Sequence, residues 1–257
     1  MKNPVIIIQA RTGSTRLPDK MLMPFHSDGC ILEILLNRIN SARITSPENI
    51  VVATTVSPGD DRIVSLCDRV GTKVFRGSED DVLERFIEAA KSCGGEKVIR
   101  VCADNVFLDM ESLRLLYEKF RDTDCDYCSF ITSGSVPSIR THYGFWAEAV
   151  TLDALERAAS GTSERLYHEH VTNFIYGNPG DFNCVFIPVS ETVPDIESHP
   201  DLRLTVDTVD DFSVQQEIYG HLRENNREIS PANIIAYLNE RPDLYAVMAR
   251  NIIQNSK

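Results

Sequence analysis

A chain of 257 residues, 42% apolar and 25% charged, has the composition of a globular protein with a sizeable core. Its net charge of −12 argues against nucleic acid or an anionic membrane surface as a partner, while leaving room for a local cationic site for a small anion. No apolar stretch reaches the roughly 18 residues of a membrane span, and Met1-Lys2-Asn3-Pro4 runs into a strand-like segment without a cleavage signal, so a cytoplasmic location is expected.

Val5–Gln9 is a continuous apolar run, as in a strand buried on both faces. It ends in the polar segment Ala10-Arg11-Thr12-Gly13-Ser14-Thr15-Arg16-Leu17-Pro18-Asp19-Lys20. A strand delivers such a loop to a sheet edge, where backbone N–H groups, hydroxyls and the cations Arg11, Arg16 and Lys20 could converge on a polyphosphate. Helical spacing follows from Cys30 to Ile44, then a strand at 50–54 and a helix opened by Asp60 and Asp61. Lys73–Phe75 is a short strand, and Ser78-Glu79-Asp80-Asp81 caps the next helix. Val98–Cys102 is a strand, with a helix after it through Phe120.

The second half is less regular. Strands are expected at 126–131, 184–188 and 202–206, and helices at 163–176, 210–223, 231–238 and 242–253. The Ser/Gly/Pro-bearing segment between Thr132 and Tyr143 is long enough for a substrate loop. The alternation over the first half predicts an α/β fold with a mainly parallel sheet, whose ligands bind beyond the carboxyl ends of the strands. No repeat or interdomain linker is present, so residues 1–257 are expected to form one domain.

The seven cysteines are scattered, which fits reduced thiols. Cys125-Asp126-Tyr127-Cys128 has C-x-x-C spacing but no second pair, which argues against a metal or redox role. Neither a Walker loop nor a three-glycine dinucleotide fingerprint is present. Asp104 and Asp207 each follow a predicted strand and could chelate Mg²⁺, or serve only as helix caps. Thr54 and Thr55, with Asp60 and Asp61, could meet a base or ribose, or cap the following helix. Arg76-Gly77-Ser78 is either a ligand contact or a turn with an N-cap. In Ser163–His170, ionisable groups crowd a predicted helix, where Arg165 and Glu169 share a face and could pair with each other or meet substrate. The spacing of His168-Glu169-His170 is not that of a helical zinc motif.

The segment Ile8–Lys20 resembles the signature of CMP-sugar synthetases, and more closely that of spore-coat-polysaccharide-type cytidylyltransferases. Further blocks match in order: Val51–Thr55, Val74–Leu83, Arg100-Val101-x-x-Asp104-Asn105 and Leu202–Thr208. The resemblance implies a GT-A-like nucleotide-diphospho-sugar transferase fold and a cytoplasmic, Mg²⁺-dependent enzyme that transfers CMP from CTP to a free acidic or keto sugar and releases pyrophosphate. It implies a nucleotide-binding half over 1–125, a sugar-binding and dimerisation half over 126–225, C-terminal helices over 226–257, and a homodimer. It places the triphosphate at Arg11, Arg16 and Lys20, with Ala10, Gly13, Ser14 and Thr15 in the same loop. Mg²⁺ falls to Asp104 and Asp207, and cytosine and ribose lie near Thr54, Thr55, Arg76, Cys102 and Ala103. Arg140 or Arg165 could hold a sugar carboxylate, and His142, Glu148, Glu169 and His170 could meet sugar hydroxyls. The chain departs from the family at Ala103-Asp104-Asn105-Val106, where Gly-Asp-x-Pro is usual. It departs again at Trp146, where an Asp is usual. The alternatives are a nucleotidyltransferase using another nucleotide or a sugar phosphate, and a non-catalytic nucleotide-sugar-binding protein.

Overall fold

The computed structural model describes residues 3–254. Its central sheet is built from β1 (Val5–Gln9), β4 (Ile50–Thr55), β5 (Lys73–Gly77), β6 (Lys97–Cys102), β7 (Tyr127–Ile131), β8 (Glu148–Thr151) and β9 (Cys184–Pro188). The order across it is β5-β4-β1-β6-β8-β7-β9. Strands β5, β4, β1 and β6 are mutually parallel, as are β7 and β9. Strand β8 runs antiparallel to both β6 and β7. A two-stranded ribbon of β2 (Pro24–His26) and β3 (Gly29–Cys30) stands apart.

The apolar runs of β1 and β4 are explained by burial on both faces. In β1, Ile6 and Ile8 face one core, packed by α1 (Ile31–Ala42), α2 (Asp61–Val70) and α4 (Met110–Asp122). Val5 and Ile7 face the other core, packed by α3 (Val82–Ser92) and α5 (Leu152–Gly161). The first core extends over α8 (Val209–Glu224), α9 (Pro231–Asn239) and α10 (Pro242–Gln254). Carboxylate and hydroxyl caps start several helices. Asp81 accepts from the Glu84 N–H at 2.8 Å, Asp109 from Ser112, and Thr208 with Asp211 forms a capping box on α8.

Two expected elements are corrected. The predicted helix over 163–176 is broken into α6 (Arg165–Glu169) and α7 (Asn173–Gly177). Between them Val171 and Thr172 turn inward and are buried, with Val171 at φ +23°, a strained value for a β-branched residue. The predicted strand at 202–206 is buried but joins no sheet, and the chain bends at Thr205. Leu204 donates its N–H to the His142 carbonyl, and the segment crosses Gly144 closely. Sequence reading also left β8 and α5 unassigned.

The segment 132–143 holds a short 3₁₀ turn, Ser138–Arg140, and is tied down by Ser133, whose N–H and hydroxyl donate to Glu197. Cys125 and Cys128 are free and buried, and burial pushes the Cys128 thiol up to about 12. No group of three or more His, Cys, Asp or Glu side chains is arranged to hold a metal among the described residues.

Gly144 sits at φ +71°, and a Cβ there would lie 2.7 Å from the Leu204 carbonyl oxygen. Gly144→Ala is expected to destabilise the fold by roughly 1–3 kcal/mol, through left-handed strain and displacement of the 202–206 segment. Chemical denaturation of the purified variant measures this.

Candidate active site

The loop after β1 is anchored by Asp60, a residue the sequence presented as a helix start or a base or ribose contact. Asp60 is 1% exposed and gathers five donors. Its Oδ1 accepts from the Thr12 N–H at 2.8 Å and the Thr12 hydroxyl at 2.6 Å. Its Oδ2 accepts from the Thr54 hydroxyl, the Thr55 N–H and the Thr55 hydroxyl at 2.9, 3.1 and 2.6 Å. Burial alone would raise the Asp60 pKa, but the bonds from Thr12, Thr55 and Thr54 outweigh it and hold the carboxyl below its ordinary 3.8. The Thr54 and Thr55 side chains are therefore sealed inside, joining β4 to the loop rather than facing a base. The signal for this was legible: three hydroxyls at the ends of adjacent parallel strands need a buried acceptor.

Within the loop, Ala10 is buried and extends the β1 ladder by donating to Ala53. Gly13 and Thr15 are exposed, and the Ser14 hydroxyl accepts from the Leu17 N–H. The three cations have different places. Arg11 is half-buried and enters no ion pair among the described residues. Arg16 reaches Asp207 Oδ1 at 2.7 Å with half its side chain exposed. Lys20 is buried and lies 2.9 Å from Asp104 Oδ2 and 3.5 Å from Asp207 Oδ1, while donating to the Val206 carbonyl. Burial disfavours its ammonium, but Asp104 and Asp207 outweigh that, so its pKa lies above the ordinary lysine value.

Asp207 is fixed from behind. Arg203, fully buried, donates from Nη2 to Asp207 Oδ2 at 2.9 Å and from Nε to Asp211 Oδ1 at 2.8 Å. Asp211 accepts from the N–H groups of Asp207 and Thr208 and from Asn251. His142 Nδ1 lies 2.7 Å from Arg203 Nη1, so His142, expected at a sugar hydroxyl, braces this cluster. Two carboxylates thus converge on one cationic point between the 10–20 loop and the sheet edge. An all-oxygen pair of this kind suits Mg²⁺, which completes its shell with phosphate oxygens and water.

Beside this point lies a cavity of about 960 Å³. Arg16, Cys102 and Asp104 line it together with Arg100, Arg140, Trp146, His170, Asn173 and Tyr176. Arg140 and His170, expected near the sugar, both line this cavity. Arg165 and Glu169 do not: both are exposed, make no ion pair with each other, and Arg165 lines a separate groove with Asp80, Asp81 and His168. Glu148 is 1% exposed and spends its carboxylate on Arg100, Tyr127 and Thr172, so it offers no oxygen to a sugar. Ala103 points into the main core, and Trp146 packs among Phe130, Tyr143 and Phe145, its Nε1 donating to Thr192. Arg76 donates to the carbonyls of Thr55 and Ser57 and to Asp61, so its turn is held at β4. Arg100, Asn173 and Tyr176 were not named as site residues from the sequence; Arg100 was visible only inside a matched block.

The family model for cytidylyltransferases matches residues 5–238, and the chain belongs to this family of nucleotidyltransferases. It is 37% identical over 250 residues to an uncharacterized protein of Methanocaldococcus jannaschii, covering 97% of this chain and 96% of that one. It is 32% identical to the spore coat polysaccharide biosynthesis protein SpsF of Bacillus subtilis, covering 95% and 97% of the two chains. Among solved structures, a cytidylyltransferase from Leptospira borgpetersenii superposes with a TM-score of 0.82 at 26% identity, over 95% of this chain and 97% of that one. A CMP-2-keto-3-deoxy-manno-octonic acid synthetase complexed with CTP shares the fold, with a TM-score of 0.64 at 14% identity over 86% and 99% of the chains. The expected GT-A-like α/β fold and enzyme class are therefore those of the chain.

Asp60 generates a pH-dependent expectation. Its folded pKa is depressed, so its contribution to stability is complete above the ordinary 3.8 and is lost as pH falls through the lower folded value. Asp60→Asn is expected to cost about 2–3 kcal/mol at pH 7, with the gap to the parent protein closing below that range. Denaturant titrations of both proteins from pH 7 down to about pH 2, through the range below 3.8, measure it.

Proposed function

We propose that this enzyme transfers CMP from CTP to a free acidic or keto sugar, of nonulosonate or octulosonate type, with Mg²⁺ bound at Asp104 and Asp207. The observation that carries the proposal is the juxtaposition of these carboxylates, the cationic loop and the cavity. Asp104 and Arg16 belong both to the carboxylate cluster and to the cavity lining. A hydroxyl held in the cavity is thereby next to a phosphate held by the loop. The match to a polysaccharide-biosynthesis relative supports a sugar acceptor and a role in surface glycan synthesis.

Arg11 and Arg16 bind and orient the triphosphate, and Arg16 remains partly exposed for that purpose. Lys20 supplies a fixed positive charge at the centre of the site. Mg²⁺, when bound, neutralises charge on the reacting phosphate and on the departing pyrophosphate. Such a transfer needs in-line placement and charge neutralisation more than covalent help. Arg100 and Arg140 give the far wall a positive character suited to a sugar carboxylate. The protein works in this reading as a cytoplasmic homodimer, with nucleotide contacts from 1–125 and sugar contacts from 126–225.

The test is pyrophosphate release with CTP, ATP, UTP and GTP against a panel of nonulosonic and octulosonic acids. Turnover is expected with CTP and an acidic keto sugar, lost on chelation and restored by Mg²⁺. Asp104→Ala and Asp207→Ala are each expected to lose about 10²–10³-fold in turnover while remaining folded. Turnover with another nucleotide or with a sugar phosphate would replace the donor or acceptor assignment. Absence of turnover with every pair would overturn the reading.

A further inference from the structure

Part of the cavity lining is carried by very short pieces. Helix α7 has five residues, too few to be stable alone. Thr172 occupies its N-cap position yet makes no capping bond. Its hydroxyl is directed to Glu148, 3.0 Å from Oε1 and 3.2 Å from Oε2. The residue before it, Val171, is fully buried at φ +23°. A strained valine and an unused cap persist only where another contact over-determines them.

Glu148 is that contact. It sits at the start of β8, 1% exposed, opposite Arg100 of β6. Arg100 Nη1 donates to Glu148 Oε2 at 2.5 Å, and Tyr127 of β7 donates to Oε1. Burial, with Glu148 beside it, pushes the Tyr127 hydroxyl well above its ordinary pKa, so it remains a donor. Arg100 lies over the Phe86 ring, its other amino group only 3.4 Å from Gln9, and it also lines the cavity. One buried carboxylate therefore holds the guanidinium on the cavity floor and the turn that sets Asn173 and Tyr176 on the cavity wall.

We infer that Glu148 is a positioning residue for the acceptor, fixing Arg100 and the 171–177 segment relative to one another without touching substrate. The inference rests on the reading of the cavity as the acceptor site. It separates the two substrates: the donor cluster of Arg16, Lys20, Asp104 and Asp207 shares no hydrogen bond with Glu148.

The test uses Glu148→Gln, Thr172→Val and Thr172→Ser in the full chain. Hydrogen exchange across 171–177 is expected to quicken about tenfold or more in the first two variants and to stay near the parent rate in Thr172→Ser. CTP binding measured by calorimetry is expected to change by less than about twofold. With the acceptor found in the panel above, Glu148→Gln is expected to raise the acceptor KM about tenfold or more while the CTP KM moves by less than about twofold. Unchanged exchange over 171–177 in both Glu148→Gln and Thr172→Val would overturn the inference, as would CTP affinity falling in step with exchange throughout the chain. If the parent protein turns over no acceptor, the proposed function fails, while the exchange and CTP measurements still decide whether Glu148 positions the wall.

Discussion

The site depends on the ammonium group of Lys20. It is buried, and it holds Asp104 at the end of β6 and Asp207 ahead of α8, segments 84 and 187 residues away in the chain, together with the Val206 carbonyl. Without this cation Asp104 and Asp207 would lose the charge that ties them to each other, while Asp207 would keep its pairing to Arg16 and Arg203. The cost of burying Lys20 is met by two carboxylates and a carbonyl, which is the condition under which a buried charge is retained. The N-terminal loop, the sheet edge and the 202–208 segment are thereby brought to one place by charge pairing. Apolar packing brings the segments near one another without setting the distances between their polar atoms.

A second set of contacts keeps that pairing aimed. Arg203 uses its planar fork on Asp207 and Asp211, and Asp211 also caps the backbone at Asp207 and Thr208. A lysine at position 203 could not serve both carboxylates in this fixed geometry. Asp60 does the corresponding work for Thr12 at the base of the cationic loop. The residues assigned to phosphate and metal thus stand on supports whose own lone pairs and protons are largely used.

This division explains what could be read in the chain beforehand. Strands β1 and β4 announced themselves because burial on both faces leaves an uninterrupted apolar run, and α3 because its caps precede a helical stripe. The cationic loop and the two aspartates were legible as residue types following strands. The strand assigned to 202–206 failed because an apolar run reports burial, and here the burial comes from packing over Gly144 with a single backbone hydrogen bond to His142. The helix over 163–176 failed because helical spacing cannot reveal that Thr172 is drawn inward by a carboxylate 24 residues earlier. Glu148 and His142 were expected at the sugar since a polar side chain near a site reads alike whether it faces ligand or a neighbouring side chain; only the fold shows Arg100 and Arg203 waiting for them.

The same contrast separates the two substrates physically. The groups read as the donor site are locked to one another, Lys20 to Asp104 and Asp207, and Asp207 to Arg16 and Arg203. The cavity wall proposed for the acceptor is carried in part by α6 and α7, five residues each, which lack the length to hold a shape unaided. They are pinned from outside. Thr172 is pinned to Glu148, and His168 to Asp81 and the Thr162 carbonyl at 2.6 and 3.0 Å. Both partners of the His168 ring accept hydrogen bonds, so filling both requires the imidazolium form, and the Thr162 carbonyl and Asp81 raise its pKa above the ordinary 6.5. A wall held by a few side-chain pins can change its lining without moving Asp104 and Asp207, the carboxylates proposed to handle the nucleotide. In the proposed reading the scaffold can therefore keep one donor chemistry while the acceptor pocket is rebuilt, and of the two departures of this chain Trp146 lines the cavity while Ala103–Val106 flanks the carboxylate Asp104.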